Sequence, residues 1–270
     1  MSDITIVTAF FDIGRGNWTQ EKGFLPYHKR TIDDYFQNFE RLSKLDNEMV
    51  VVTSPDLIER VKAIRCDKKT HVIPFDLKNR MTHTLKKIED IQKNNQYINM
   101  INANQRINPE YWNAEYVLIN WLKPHFCYIA CETLSLKSDV VAWIDFGYCR
   151  QDSFLNGLKK WKYDFDKKKI HFWSLRDIPK EINDDLLKSI ISNNEVYITG
   201  PNIVASRDSW EDLYFDGLIN IGFKELLDKK KLSDDDQTLW TLYASRYPER
   251  CEIHKIQNNE WFRIFKDYAQ

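Results

Sequence analysis

The chain has 270 residues, 39 basic and 40 acidic, for a formal net charge of -1, with 43% hydrophobic and 29% charged residues. That length suits one α/β domain with a real core, and the ordinary composition excludes a disordered chain. The balanced charge excludes a global field that would draw nucleic acid, and no apolar run is long enough to span a bilayer.

Met1–Phe10 has no basic opening segment and reads as a strand, not a signal peptide, so a cytoplasmic location is expected. The run Ile4–Phe10 (ITIVTAF) is continuously apolar, as in a strand covered on both faces. The loop Phe11–Trp18 (FDIGRGNW) follows. A nucleotide sits at such a first strand–loop junction in open α/β sheets, and Arg15 is placed to reach a diphosphate. Gly14 and Gly16 do not complete a GxGxxG fingerprint, and no P-loop is present, which disfavours a Rossmann NAD enzyme and a P-loop ATPase.

Thr31–Leu45 has helical spacing, with Ile32, Tyr35, Phe36, Phe39 and Leu42 on one face. Met49–Thr53 reads as a second strand. Ser54-Pro55-Asp56 opens a helix that runs to about Ile64. Thr70–Phe75 is a third strand, and the alternation predicts a parallel sheet. Arg80, Thr84 and Lys86 then read either as phosphate contacts or as a solvated basic helix start.

The middle is mostly helical: Thr82–Lys93, then an aromatic-rich stretch, Pro109–Cys131, interrupted at Pro124. Cys127 and Cys131 lie in that stretch. With Cys66, Cys149 and Cys251 they make an odd, scattered set that fits buried or free thiols, not disulfides or a zinc pair. Asp139–Ile144 is another buried strand. Later strands are expected at Ile170–Ser174, Glu195–Thr199 and Cys251–Ile256, and helices at Ser209–Leu227, Asp234–Ser245 and Asn259–Tyr268. No composition shift divides the chain, so residues 1–270 read as one domain. The lysine runs at 159–160, 167–169 and 229–231 read as solvated helix ends and loops, with peripheral contact to anionic lipid as the sharper reading.

Three segments carry chemistry. In Val140–Arg150 (VVAWIDFGYCR) a buried strand runs into Asp145, where open sheets bind ligands. A carboxylate there holds a hard cation that neutralises a diphosphate, and Gly147 permits close approach. The same residues also suit a strand-ending turn. In Ser233–Leu239 (SDDDQTL), Ser233 and Asp234 read as a helix cap while Asp236 and Gln237 face a site. His254 reads as a satisfied strand histidine or as a metal ligand. Trp143, Tyr148 and Trp240 read as core or as stacking faces for sugar or base.

TAFFDIGR (Thr8–Arg15), NPEYWNAEYVLINWLKPHF (Asn108–Phe126), WIDFGYC (Trp143–Cys149) and DDQTLW (Asp235–Trp240) together resemble the HtrL/YibB family of bacterial proteins, in order and over most of the chain. The resemblance implies an α/β, GT-A-like nucleotide-diphospho-sugar transferase fold with a mostly parallel central sheet flanked by helices. It implies a glycosyltransferase that moves a sugar from a nucleotide-sugar donor, a UDP-sugar, to a glycan or lipid-linked glycan acceptor of the cell surface. Thr8, Ala9, Phe10, Arg15, Arg80 and Asp145 would then bind the donor. Asp145 would match the first carboxylate of a metal-binding DxD motif, for Mn2+ or Mg2+. Gly147 stands where the second carboxylate would be, so metal binding would be weaker, would take His254 or water as the further ligand, or would be absent. Asp236, with Gln237, would be the catalytic base of an inverting reaction or a donor-sugar contact in a retaining one. The missing carboxylate also motivates the alternative of a non-catalytic assembly protein on the same fold.

Overall fold

The computed structural model describes residues 2–258 and 260–269. The apolar run Ile4–Phe10 forms β1, buried along its whole length. It is followed by β2 (Met49–Thr53), β3 (Thr70–Pro74), β4 (Val140–Ile144), β5 (Ile170–Ser174), β6 (Asn202–Ser206) and β7 (Cys251–Lys255). These make one seven-stranded sheet in the order β3-β2-β1-β4-β6-β5-β7. β6 runs antiparallel to β4 and β5, and the other pairings are parallel. The mostly parallel, helix-flanked sheet expected from the sequence is the one formed.

Side chains alternate across a strand, so β1 feeds two cores. Val7 and Ala9 pack with Trp121, Phe126 and Trp143. Ile4, Ile6 and Phe10 pack on the opposite face with Phe36, Phe39 and Phe146. The expected helix after the first loop is Ile32–Leu42, started by Thr31 and Asp34, each side chain accepting the other's backbone N–H in a capping box. Pro124 does not interrupt its helix. It sits in the first turn of Lys123–Thr133, where a missing N–H costs nothing, and the break falls at Leu122 after Ala114–Trp121.

Two expectations need correction. Glu195–Thr199 is not a strand. Only Ile198 makes an isolated bridge, to Ser174, and the place beside β4 goes to Asn202–Ser206 instead. β-Propensity in one segment does not decide which segment wins the sheet position. The last helix shrinks to Ile264–Asp267, and Asn259, where it was expected to begin, lies outside the described residues. The lysine runs behave as solvated faces: Lys160 pairs with Asp3, Lys167 with Asp139 and Lys230 with Asp184. Among the described residues, no helix is long and apolar enough to cross a membrane.

Candidate active site

β1 and β4 end on the same edge of the sheet, and antiparallel β6 begins there. The three ends open into a cavity of about 570 Å³, within the size range of small-molecule sites. Ala9 and Phe10 line it from β1, Asp145 from the end of β4, and Gly200 and Pro201 from the turn before β6. The edge is held together by the backbone, since Asp145 N donates to Pro201 O at 2.9 Å.

The chemistry of the floor is set by one buried ammonium. Lys123, the first residue of its helix, is 2% exposed. Its Nζ donates to Asp236 Oδ2 at 2.7 Å and to Gly200 O at 2.8 Å, and lies 3.2 Å from Asp145 Oδ1. An ammonium has three N–H donors, so all are engaged. Burial opposes its charge, but Asp145 and Asp236 outweigh burial and hold Lys123 above its ordinary pKa. Tryptophans steady both acids: Trp143 Nε1 donates to Asp145 Oδ1 at 2.8 Å, and Trp240 Nε1 donates to Asp236 Oδ2 at 3.0 Å. Asp145 keeps a side chain 37% exposed toward the cavity.

A second set of acids lies alongside. Asp235 caps the helix Asp236–Arg246 by accepting from Gln237 N at 2.9 Å, and Asp234 accepts from Thr238 Oγ1 at 2.6 Å. The cap is therefore Asp235, not Ser233 and Asp234 as the sequence suggested. Glu110 accepts from Asn194 Nδ2 at 2.7 Å. Burial, with mutual repulsion, pushes Glu110 and Asp234 up to about 8 and raises Asp235 as well. Burying several carboxylates with one ammonium forces some of them to keep their protons.

Another part of the lining is basic. Arg15, Arg30 and Arg150 line the cavity, and among the described residues none of them forms an ion pair. Arg15 is oriented by donating to His28 O at 3.1 Å and Tyr35 Oη at 2.8 Å. Arg150 lies over the Phe262 ring. Burial and the neighbouring Arg30 lower the Arg150 pKa. His28 is 2% exposed and lines the cavity beside Asn108.

Of the residues singled out in the sequence, Ala9, Phe10, Arg15, Asp145, Asp236 and Gln237 line the cavity. Thr8 is fully buried one residue further down β1 and does not reach it. Arg80, Thr84 and Lys86 do not line the cavity; Arg80 lies over the Phe75 ring and Lys86 pairs with Asp90. Tyr148 and Trp240 are fully buried and offer no stacking face. Aromatic surface at the cavity comes instead from Tyr27, Tyr116, Trp261 and Phe262. Lys123, Arg30, Arg150 and Gly200 were missed. Lys123 did leave a signal: it is the one Lys, Arg, Asp or Glu between Val117 and Ala130.

The joint metal site of Asp145 and His254 is not formed. His254 lies on β7 opposite Trp173, and β6 and β5 separate β7 from β4. Three strand spacings of about 4.8 Å put it about 14 Å away. His254 belongs to another group, with His171 and Glu252, whose donor atoms lie within 4.8 Å of one another. Two imidazoles and a carboxylate suit a borderline ion such as zinc better than magnesium. At Asp145 the donors fit a divalent ion poorly, because Oδ1 is taken by Trp143 and Lys123, the neighbouring Asp236 is paired to Lys123, and residue 147 is glycine.

Comparison with known proteins gives four likenesses. The family model described as "Bacterial protein of unknown function (HtrL_YibB)" matches residues 2–270. Protein HtrL of Escherichia coli (strain K12) is 38% identical over 271 residues, covering 98% of this chain and 92% of that one. Among solved structures, mouse xyloside xylosyltransferase 1 in its apo form is similar at a TM-score of 0.43 and 13% identity, over 99% of this chain and 94% of that one. The 4-diphosphocytidyl-2C-methyl-D-erythritol synthase of Anaerococcus prevotii DSM 20548 is similar at 0.41 and 12%, over 97% and 89%. Both TM-scores are below 0.5, and no functional inference follows from them.

Proposed function

Since this chain belongs to the HtrL/YibB family, whose description assigns no function, we propose its activity from the site: residues 1–270 form a glycosyltransferase that moves a sugar from a nucleotide-sugar, a UDP-sugar, to a cell-surface glycan or lipid-linked glycan. The observation that carries this is that basic and acidic side chains line one cavity. Arg15, Arg30 and Arg150 present unpaired positive charge, and Asp145 and Asp236 present carboxylates fixed by Lys123.

In the reaction the bond from the anomeric carbon to the diphosphate oxygen breaks, and the electron pair leaves with the diphosphate. A bond forms from the acceptor hydroxyl oxygen, and its proton passes to a base. Guanidiniums stabilise the leaving diphosphate because they bind phosphate oxygens with paired, charge-assisted hydrogen bonds. The carboxylate of Asp145 faces the cavity and accepts a hydroxyl of the donor. Asp236 takes the acceptor proton in an inverting reaction, or holds the donor sugar in a retaining one. Gln237, beside it on the cavity wall, contributes a neutral hydrogen-bonding amide.

The test is turnover. Donor hydrolysis or transfer is measured with a panel of nucleotide-sugars, for wild type and Asp145→Ala. The variant is expected to keep its circular dichroism spectrum and to lose turnover about a hundredfold or more. Full activity in the variant would remove Asp145 from the mechanism. A second reading, a nucleotide-binding assembly protein without transfer, is favoured by the glycine at residue 147. Nucleotide binding with no turnover of any donor would select it.

A further inference from the structure

We infer that Lys123 is the fixed cation of this site, and that the cavity takes the diphosphate of its nucleotide on Arg15, Arg30 and Arg150 without a divalent metal. This rests on the nucleotide-sugar reading above and assigns its charge chemistry. A metal bridging two carboxylates would stand about 2.0–2.6 Å from an oxygen of each. Here that place is filled: Lys123 Nζ stands 2.7 Å from Asp236 Oδ2 and 3.2 Å from Asp145 Oδ1. It is anchored further by Gly200 O at 2.8 Å and lies 5.7 Å from the centre of the Trp143 ring. An ion brought to the same oxygens would meet a buried ammonium at close range, where charges repel more strongly than in water.

The arginines do what the metal would otherwise do. A buried arginine elsewhere in this chain shows the contrast. Arg65 is fully enclosed, but its guanidinium donates to the carbonyls of Ser43, Leu45, Asn47 and Lys69 and to Thr70 Oγ1. Its hydrogen-bonding capacity is used within the fold. Arg150 has a ring beneath it, and among the described residues neither its guanidinium nor that of Arg30 donates a hydrogen bond to protein, although both residues line the cavity. Arg15 is aimed by two bonds and keeps the rest of its fork. Planar forks match phosphate oxygens bidentately, and three of them in one cavity complement a multiply charged diphosphate that brings no cation of its own.

The experiment uses the full chain stripped of metal with EDTA. Binding of UDP, GDP and inorganic pyrophosphate is measured by calorimetry in excess EDTA and in excess manganese or magnesium. The expected result is that at least one probe binds equally in both, and at least about tenfold more weakly to Arg30→Gln or Arg150→Gln in EDTA. Binding that requires the divalent ion would overturn the inference while leaving the nucleotide reading intact. No binding of any probe, with or without metal, would sink the nucleotide reading and this inference with it. The role of Lys123 is read separately. Removing the ammonium leaves two facing carboxylates, so Lys123→Ala should gain a melting-temperature rise with magnesium that wild type lacks. Magnesium is chosen because it prefers oxygen donors over the imidazoles of His171 and His254. A folded Lys123→Ala indifferent to magnesium would overturn the assignment, and if the variant does not fold, the wild-type comparison in EDTA decides.

Discussion

Gly200 shows how closely the acids are placed. A Cβ built there would lie 2.7 and 2.8 Å from the two carboxylate oxygens of Asp236. That carboxylate cannot swing aside, because Lys123 and Trp240 both hold its Oδ2. Gly200→Ala should therefore cost about 1–3 kcal/mol in urea denaturation, the usual range for overpacking, and should depress donor turnover. Wild-type stability and turnover in that variant would mean that Asp236 is not pinned as described. Nothing in the sequence around Gly200-Pro201 marks this constraint, since its partner is 36 positions away. Asp145 was legible, because a buried apolar run ending in a carboxylate has few purposes. Arg30 and Arg150 were not, because isolated surface arginines are ordinary until a fold brings them to one cavity.

At the scale of elements, the strands buried on both faces other than β6 were read within a residue or so, because such a run leaves no other comfortable place for its side chains. The helix Asp184–Asn193 was missed although its start is written plainly: Asn183 caps it, accepting from Leu186 N at 2.9 Å, and Asp184 and Asp185 fill the first turn. Asn183→Ala should cost about 1 kcal/mol and lower the melting temperature by about 2–4 °C. Nucleotide affinity should not change, since Asn183 is exposed and does not line the cavity. A shift in affinity would show that this helix is coupled to the site. The misplacement of β6 has a different origin. Glu195–Thr199 has the stronger local β signal, but Asn202–Ser206 has the register that hydrogen-bonds β4, from Val140–Ser206 to Ile144–Asn202.

For the whole molecule, the buried acids make stability depend on pH in a definite direction. Glu110 and Asp234 have folded pKa values of about 8, from ordinary values of 4.5 and 3.8. Below about pH 4 both folded and unfolded chains hold these protons, and the contribution is fully present. As pH rises from about 4 to 8 the unfolded chain releases them first, so stability falls, and above the folded values the contribution is gone. Wild type is thus expected to lose stability between pH 5 and pH 8 at these positions, and Glu110→Gln to lose less. The measurement is urea denaturation of both proteins across that interval, and parallel curves would show that Glu110 is ionised in the fold.

The sequence alone determined the class of the molecule: a largely parallel α/β sheet, Asp145 at a strand end, an acidic helix start within Ser233–Asp236, and membership of a family. Periodicity, strand burial and capping are local, and motif resemblance is linear, so one chain carries them in readable form. The tertiary structure alone decided which charges meet. Lys123, Asp145, Gly200 and Asp236 come from four separate parts of the chain, and the arginines from the segments that follow β1 and β4. Electrostatic partnership depends on distance in space and on exclusion of water, and neither is encoded in the spacing of residues along the chain.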